Sequence, residues 1–256
     1  MITFKKPDEI DRMKRAGKIV ADILSAMKAM IRPGIDTMSL SDEADRILDK
    51  ESAGASFRGY RVYGVRTSFP SAICVSINEE VVHGIPDRER ILEEGDIVSI
   101  DVGAIVNGYH GDAACTYAVG EISEERARLL SVTYRALHIG MEQVIPGRTI
   151  GDIGHAIEEW VLGNGCGLVR EYSGHGIGKK LHEAPQVPNY GSPRSGVTLK
   201  PGMTFCIEPM VMNGRERVKS LENGWTIVTC DKSDAAHFEH ALLVNEDGAE
   251  ILTPWE

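Results

Sequence analysis

The sequence predicts an α+β fold made of two related halves, on three observations. Pairs of amphipathic helical segments flank a Pro-Gly dipeptide at 33–34 and again at 146–147. Strand-like apolar segments follow each pair. In addition, LEEGDIVSID at 92–101 aligns with LKPGMTFCIE at 199–208, and both segments end in a carboxylate. This similarity predicts a single domain over 1–256 with halves of about 1–120 and 121–256. A chance likeness is the alternative, but both alignments need nearly the same offset.

Two helices open the first half. Pro7 suits a first helical turn, and apolar residues recur at helical spacing, so a helix is predicted over 7–31. A second helix is predicted over 39–50, with Ser39 as its N-cap. The following segment, 72–119, has the pattern of strands joined by turns.

The second half repeats this order. Ser123 is predicted to cap a third helix that runs to about Val144. Apolar residues from Ile150 to Val161 mark a fourth helix. The rest is predicted to be strand and loop, and it ends in the apolar run 241–244.

Composition limits the function classes. The 256 residues include 38 acidic and 28 basic side chains, for a formal charge of −10. This balance argues against general binding to nucleic acids or membrane surfaces, which needs a basic footprint. No apolar run reaches a membrane span, and the first residues lack the apolar core of a secretory signal. Five scattered cysteines without a CxxC pair are typical of reduced thiols, so we expect a cytoplasmic protein.

Two carboxylates are predicted to share one face of a hairpin. Asp101 ends an apolar strand-like run, and Asp112 follows a short distance later. Between them, Asn107-Gly108 is a strong signal for a two-residue turn. With that turn, residue 101 pairs with residue 114, and residue 112 is a diagonal neighbour on the same side. Exposure of both carboxylates to water is the alternative at this point.

Two further acids stand at the ends of apolar runs. Glu208 precedes Pro209, which should end the strand there, and Glu239 begins another strand-like run. Four clustered carboxylates repel one another unless they are protonated or neutralised. Two divalent cations would neutralise them, and oxygen ligands with some imidazole suit Mn, Co, Fe or Zn.

Three histidines are candidates for the same site. His83 lies in VVHGIP, His175 in SGHGIG and His182 in LHEAPQV. The glycines around His175 allow the backbone to approach a ligand closely. No P-loop, HExxH or nucleophile-elbow motif is present. The other histidines are interpreted as structural: His110, His138, His155, His237 and His240.

The ordered set of these acids and His175 resembles the dimetal site of the methionine aminopeptidases. The surrounding segments are similar as well: SINEEVVHGIP at 76–86, GYHGD at 108–112, YSGHGIGKKLHEAPQVPNY at 172–190, LKPGMTFCIEPM at 199–210 and FEHALLV at 238–244. The resemblance implies the pita-bread (creatinase/aminopeptidase) fold. In that fold, two pseudo-symmetric halves with curved antiparallel sheets, covered by helices, enclose the site.

The resemblance also implies a ligand set. Asp101 would chelate one divalent ion, Asp112 and Glu239 would bridge two, and His175 and Glu208 would complete the second ion's shell. The implied reaction is metal-dependent removal of the N-terminal (initiator) methionine from nascent proteins and peptides with a small second residue. Its nucleophile would be a water or hydroxide that bridges the two metals.

Other side chains acquire roles by the same resemblance. Glu208 would handle the proton of the attacking water. His182 would contact the scissile carbonyl or the developing oxyanion, and His83 the amide nitrogen of the leaving segment. The free amine of the substrate would lie near Asp101. An apolar pocket would hold the methionine side chain, with a wall formed by Phe69, Cys74, Tyr172, Leu181, Phe205 and Trp225. For Phe205, simple core packing is an equal alternative.

Two departures from the family concern this pocket. The aromatic segment at 59–69 is longer than in relatives, and Cys206 stands where many relatives have Thr. Without zinc-finger extension or large helical insertion, the chain resembles the short bacterial-type (type I) form. We expect a monomer whose partners are Met-peptides of nascent chains, with contact to the ribosome.

Two other readings remain at this stage. A proline-specific peptidase would use the same ligands, but such enzymes usually carry an additional N-terminal domain. A binding protein of the same fold that has lost its metals is the second alternative, and the five filled ligand positions argue against it.

Overall fold

The computed structural model describes residues 2–255. Within them, four helices and 15 strands form a mixed α and antiparallel β architecture. The helices are α1 Pro7–Met30, α2 Thr37–Lys50, α3 Glu124–Glu142 and α4 Ile150–Gly163. The strands are β1 Gly54–Ala55, β2 Ile73–Ile77, β3 Glu80–Val82, β4 Ile97–Val106, β5 Tyr109–Ala118, β6 Gly167–Leu168, β7 Gly174–Gly176, β8 Glu183–Val187, β9 Thr204–Ile207, β10 Met210–Met212, β11 Val218–Ser220, β12 Ile227–Thr229, β13 Ala235–His237, β14 His240–Val244 and β15 Ala249–Ile251.

All four predicted helices are present, and one predicted cap is wrong. The Ser123 side chain caps α3 by accepting a hydrogen bond from the Arg126 N–H, as predicted. Helix α2 begins earlier than expected, because Asp36 rather than Ser39 is its N-cap. The Asp36 carboxylate accepts the Ser39 N–H at 2.9 Å, which places Ser39 at the third helical position.

The sheets place segments from both halves of the chain around one cavity. In the first half, β1 and β2 pair with different parts of one edge of β4, and β5 pairs with the whole length of its opposite edge. In the second half, five strands follow the order β15-β14-β9-β7-β8. Two three-stranded sheets, β13-β10-β6 and β11-β12-β3, complete the arrangement, and the latter joins strands from both halves.

The hairpin of β4 and β5 has the predicted turn and register. Asn107 and Gly108 form the turn with φ of 48° and 79°, the left-handed values of a type I′ turn. Asp101 pairs with Ala114, and Gly103 pairs with Asp112. Since residues two apart share a face, both carboxylates lie on the same side.

Helix α1 packs against this hairpin at very short range. A Cβ on Gly111 would lie 2.6 Å from the Gly17 backbone nitrogen. Helix α1 is equally close to the segment after β15, since a Cβ on Gly17 would lie 1.8 Å from the Leu252 carbonyl oxygen. Only glycine fits at both positions. Because Gly111 precedes Asp112 in β5, its contact with α1 fixes the backbone next to Asp112.

The Pro-Gly turns of the two halves make matching hydrogen bonds. The Gly34 N–H donates to the Leu92 carbonyl at 2.8 Å, and the Gly147 N–H donates to the Leu199 carbonyl at 3.0 Å. These residues are the ones that the internal alignment pairs. The division into two related halves stays a prediction, and the matching bonds support it.

The buried apolar residues form one large core and smaller clusters. The large core lies between the helices and the sheets, and a second cluster of apolar side chains surrounds the cavity. None of the helices within residues 2–255 combines the length and the apolar character that crossing a membrane requires.

Candidate metal centre and active site

The five predicted ligands converge from five segments. Asp101 and Asp112 project from the β4–β5 hairpin, and His175 lies on β7. Glu208 follows the last residue of β9, and Glu239 precedes the first residue of β14. Because His240 pairs with Ile207 across these strands, the two glutamates stand at matching strand ends.

One backbone bond joins the halves at this point. The Glu239 N–H donates to the Ala114 carbonyl at 2.9 Å, and Ala114 is the residue opposite Asp101. The hairpin of the first half and the strand end of the second half are thereby held edge to edge. Pro209, as predicted, separates β9 from β10, so Glu208 lies where the ladder is interrupted.

The ligand atoms are close enough to share cations. His175 Nε2 lies 3.7 Å from Asp112 Oδ2 and 3.6 Å from Glu208 Oε1. One ligand atom each from Asp112, His175, Cys206 and Glu239 falls within 4.8 Å of all the others. Cys206 was not expected in this group, although its position two residues before Glu208 offered a signal.

Burial disfavours the charged form of these carboxyl groups when no cation is bound. Desolvation raises the pKa of Asp101 to about 7. Desolvation, followed by repulsion from the neighbouring carboxylates, raises the pKa values of Asp112, Glu208 and Glu239 well above their usual range. Desolvation also lowers the pKa of His175 to about 3, so its imidazole is neutral and free to act as a ligand.

Divalent cations fit this set of residues. Asp101 Oδ1, Asp112 Oδ1 and Glu239 Oε1 are buried without a hydrogen-bond partner among residues 2–255. Unpaired buried oxygens are costly, and a cation would satisfy them together with the repelling charges. Carboxylate oxygens with one imidazole form a donor set that first-row divalent metals accept.

A cavity of about 280 Å³ lies beside the cluster. Its walls include His83 and His182, whose pKa values desolvation lowers to about 4. His83 has a φ of 60°, a strained value for a non-glycine residue and one that is concentrated at functional sites. Its ring is 5.7 Å from the Tyr172 ring.

Most of the predicted pocket wall lines this cavity, and Phe205 does not. Phe69, Cys74, Tyr172, Leu181 and Trp225 line it. Phe205 is fully buried in the large core instead, because side chains alternate along β9 and Cys206 takes the face toward the cavity. The expected wall position of Phe205 is therefore corrected to a core position.

The longer segment at 59–69 forms a loop above the cavity. The Gly59 N–H donates to the Phe69 carbonyl and the Phe69 N–H to the Tyr60 carbonyl, each at 2.9 Å, which closes the base of the loop. The Trp225 indole donates to the Thr67 carbonyl at 3.2 Å, and its ring stands edge-on to Phe69 at 5.2 Å. Phe69 thus keeps its place in the wall.

His237 belongs to the site, although its sequence context gave it a structural role. It lines the cavity, and its Nε2 is 3.7 Å from Glu208 Oε2. It lies two residues before Glu239, so strand alternation was a signal that could have found it.

Comparisons with known proteins agree with this geometry. The model of metallopeptidase family M24 matches residues 11–246. The methionine aminopeptidase of Clostridium acetobutylicum is 49% identical over 253 residues, with 99% of both chains covered. Methionine aminopeptidase 1 of Bacillus subtilis is 48% identical over 253 residues, with the same coverage. The chain belongs to metallopeptidase family M24.

Solved structures give the fold of this M24 metallopeptidase. The crystal structure of methionine aminopeptidase from Thermotoga maritima is similar with a TM-score of 0.95 and 48% identity, over 99% of both chains. The prolidase from Pyrococcus furiosus, at 23% identity and a TM-score of 0.77, shares the fold, and the match covers 66% of its chain. The prediction of the pita-bread fold is confirmed. The roles of individual site residues in this M24 metallopeptidase are proposals, which follow.

Proposed function

We propose that this M24 metallopeptidase removes the N-terminal (initiator) methionine from nascent proteins and peptides whose second residue is small. The observation that carries the proposal is that the carboxylate cluster and the apolar wall line one cavity. Relatives that are 48–49% identical over nearly the whole chain are named methionine aminopeptidases, which supports the assignment.

In this proposal, Asp101, Asp112, His175, Glu208 and Glu239 hold two divalent ions of the Co, Mn, Fe or Zn class. Such ions lower the pKa of water toward neutrality and polarise a carbonyl group. The chain supplies four carboxyl groups, whose charge balances that of the cations, and a neutral imidazole. Since these carboxyl groups must lose their protons to bind metal, the protein holds the ions more tightly as the pH rises.

Glu208 is the residue that accepts and passes on the proton of the attacking water. Its carboxyl lies at the interruption between β9 and β10, with Oε1 toward His175 and Oε2 toward His237. A carboxylate suits this task, because it can accept a proton and release it again within one turnover.

The two cavity histidines bind the peptide bond. His182 donates a hydrogen bond to the scissile carbonyl oxygen, and His83 contacts the amide nitrogen of the leaving segment. Because both imidazoles are neutral, they polarise the substrate without repelling nearby cations. Asp101 receives the free amine, and this contact selects the first residue of a chain.

The methionine side chain lies against Phe69, Cys74 and Trp225. Cys74 is buried, and desolvation raises the pKa of its thiol well above the usual value, so it presents an uncharged surface to the thioether. The finer expectations stay predictions: a monomer, a cytoplasmic location and contact with the ribosome.

A peptide panel tests the function. The metal-loaded protein is expected to release methionine from Met-Gly-Met and Met-Ala-Ser. It should act far more slowly on Met-Leu-Ser, and release none from N-acetyl-Met-Ala-Ser, which lacks the free amine. Faster cleavage of Gly-Pro peptides than of Met-Ala-Ser would show a proline-specific peptidase. No hydrolysis of any peptide with metal present would favour a binding protein.

A further inference from the structure

Tyr60 contacts His182 at the rim of the cavity. Its hydroxyl oxygen lies 2.6 Å from Nδ1 of the imidazole. The two ring centroids are 5.2 Å apart, and the ring planes meet at 66°. The tyrosine has no part in the reaction described above, yet it makes a short hydrogen bond to one of the two histidines that bind the peptide.

The backbone holds Tyr60 firmly. Its N–H donates to the Phe57 carbonyl at 2.9 Å, and its carbonyl accepts the Phe69 N–H at 2.9 Å. These bonds form the closed base of the loop over 60–69. The phenol therefore reaches His182 from a fixed point, while the longer part of the loop, including the exposed Tyr63, extends beyond it.

The hydrogen bond to Tyr60 links the phenol to the tautomer of the His182 ring. A neutral imidazole has one N–H donor and one acceptor nitrogen. Burial raises the pKa of the Tyr60 phenol, so the hydroxyl keeps its proton. At 2.6 Å from Nδ1, it can donate this hydrogen to the ring nitrogen. The hydrogen of the His182 ring then lies on Nε2. In the opposite tautomer the Nδ1–H would donate to the phenol oxygen, and the phenol hydrogen would have to turn away from the ring.

We propose that Tyr60 is a positioning residue that holds His182 in the Nε2–H tautomer, so that the imidazole presents a donor to the scissile carbonyl. The inference rests on the proposed function, in which His182 donates to that oxygen. Without the phenol, both tautomers are populated, and the fraction with hydrogen on Nδ1 offers the substrate no donor.

The test compares Tyr60→Phe with Tyr63→Phe in the full-length, zinc-loaded protein. Each substitution removes one hydroxyl and keeps the ring, and Tyr63 is the matched control because it is exposed in the same loop. Nitrogen-15 NMR of the histidine rings reports the tautomer of His182, whose signals are assigned by their loss in His182→Asn. Steady-state kinetics on Met-Ala-Ser gives kcat and KM, and thermal melting checks the fold.

Tyr60→Phe is expected to lower kcat by about three- to tenfold, the effect of one neutral hydrogen bond, with KM nearly unchanged. The His182 nitrogen signals should move toward the average of the two tautomers, and Tyr63→Phe should match the wild type in every readout. The inference is overturned if the signals do not move in Tyr60→Phe, whatever happens to kcat. It is also overturned if they move and kcat stays at the wild-type value. If the wild type releases no methionine, the proposed function fails separately, and the nitrogen signals still decide the tautomer.

Discussion

Four carboxyl side chains share one cavity with a neutral imidazole, and this arrangement governs the chemistry at the scale of single residues. Asp112 and Glu239 are buried, and Asp101 and Glu208 are half-buried and line the cavity. Their raised pKa values mean that the metal-free protein holds protons on groups that would otherwise be charged. Each of these groups therefore affects metal binding more strongly than it affects the metal-free fold.

Glu208→Gln separates these effects. An amide mimics the protonated carboxyl, so the metal-free variant should melt at or slightly above the wild-type temperature. Without a group to carry the proton, turnover on Met-Ala-Ser should fall by about 10²- to 10⁴-fold. The measurements are melting curves in chelator and kcat with metal. The exposed Glu222→Gln is the control, and wild-type turnover in Glu208→Gln would refute the role of Glu208.

Sequence reasoning could bring these carboxyl groups together because an acid at the end of an apolar strand is unusual, and the Asn107-Gly108 turn fixes the hairpin register. It could not settle Phe205, since an apolar residue suits either face of a strand buried on both sides. His237 was missed because its signal, a spacing of two residues from Glu239, counts only once Glu239 has been placed in the site.

At the scale of elements, the close contact between α1 and β5 fixes the position of Asp112. Gly17 interrupts a helix that would otherwise prefer alanine, and Gly111 interrupts a strand. Both lie where two backbones approach within side-chain distance. A sequence pattern predicts the bounds of such elements. It does not predict the order of strands in the sheets or a backbone contact between distant elements.

Gly17→Ala should therefore destabilise the protein in spite of its better helix propensity. The new Cβ would lie 1.8 Å from the Leu252 carbonyl oxygen, so backbone must move, at a cost of about 1–3 kcal/mol or more. Gly163→Ala is the matched control at the end of α4, where a Cβ has nothing within 4 Å. It should be neutral or stabilising by up to about 1 kcal/mol. Urea unfolding of both variants tests this, and equal effects would contradict the role given to Gly17.

At the scale of the whole molecule, the site lies where the halves meet. The Glu239 N–H to Ala114 carbonyl bond and the sheet of β11, β12 and β3 join the two predicted halves, and the proposed ligands come from both. A cation held by these side chains would bind the folded chain and not the unfolded chain, so it should stabilise the fold by mass action. At about 100 times its Kd, such an ion adds about 2.7 kcal/mol.

The stabilising effect of metal should grow with pH. The raised pKa values mean that the folded, metal-free chain binds more protons than the unfolded chain, so its stability falls as the pH rises. For Asp101, the loss of stability occurs between pH 3.8, its ordinary pKa, and about pH 7. For the other three carboxyl groups, whose pKa values are raised further, the loss continues to higher pH. Bound cations remove the loss. The increase in Tm on adding Mn²⁺ should be larger at about pH 8.5 than at about pH 6.5, and an equal increase at both values would contradict the account.

The proposed function makes this cluster a metal-dependent centre that releases N-terminal methionine. The most direct measurement titrates Co²⁺ into the chelator-treated protein and follows free methionine released from Met-Ala-Ser, beside an Asp112→Asn variant. The wild type should be inactive in chelator and gain activity until its metal sites are filled. The variant should bind metal more weakly and release little methionine. Methionine release that persists in chelator, or that is equal in the two proteins, would contradict the account.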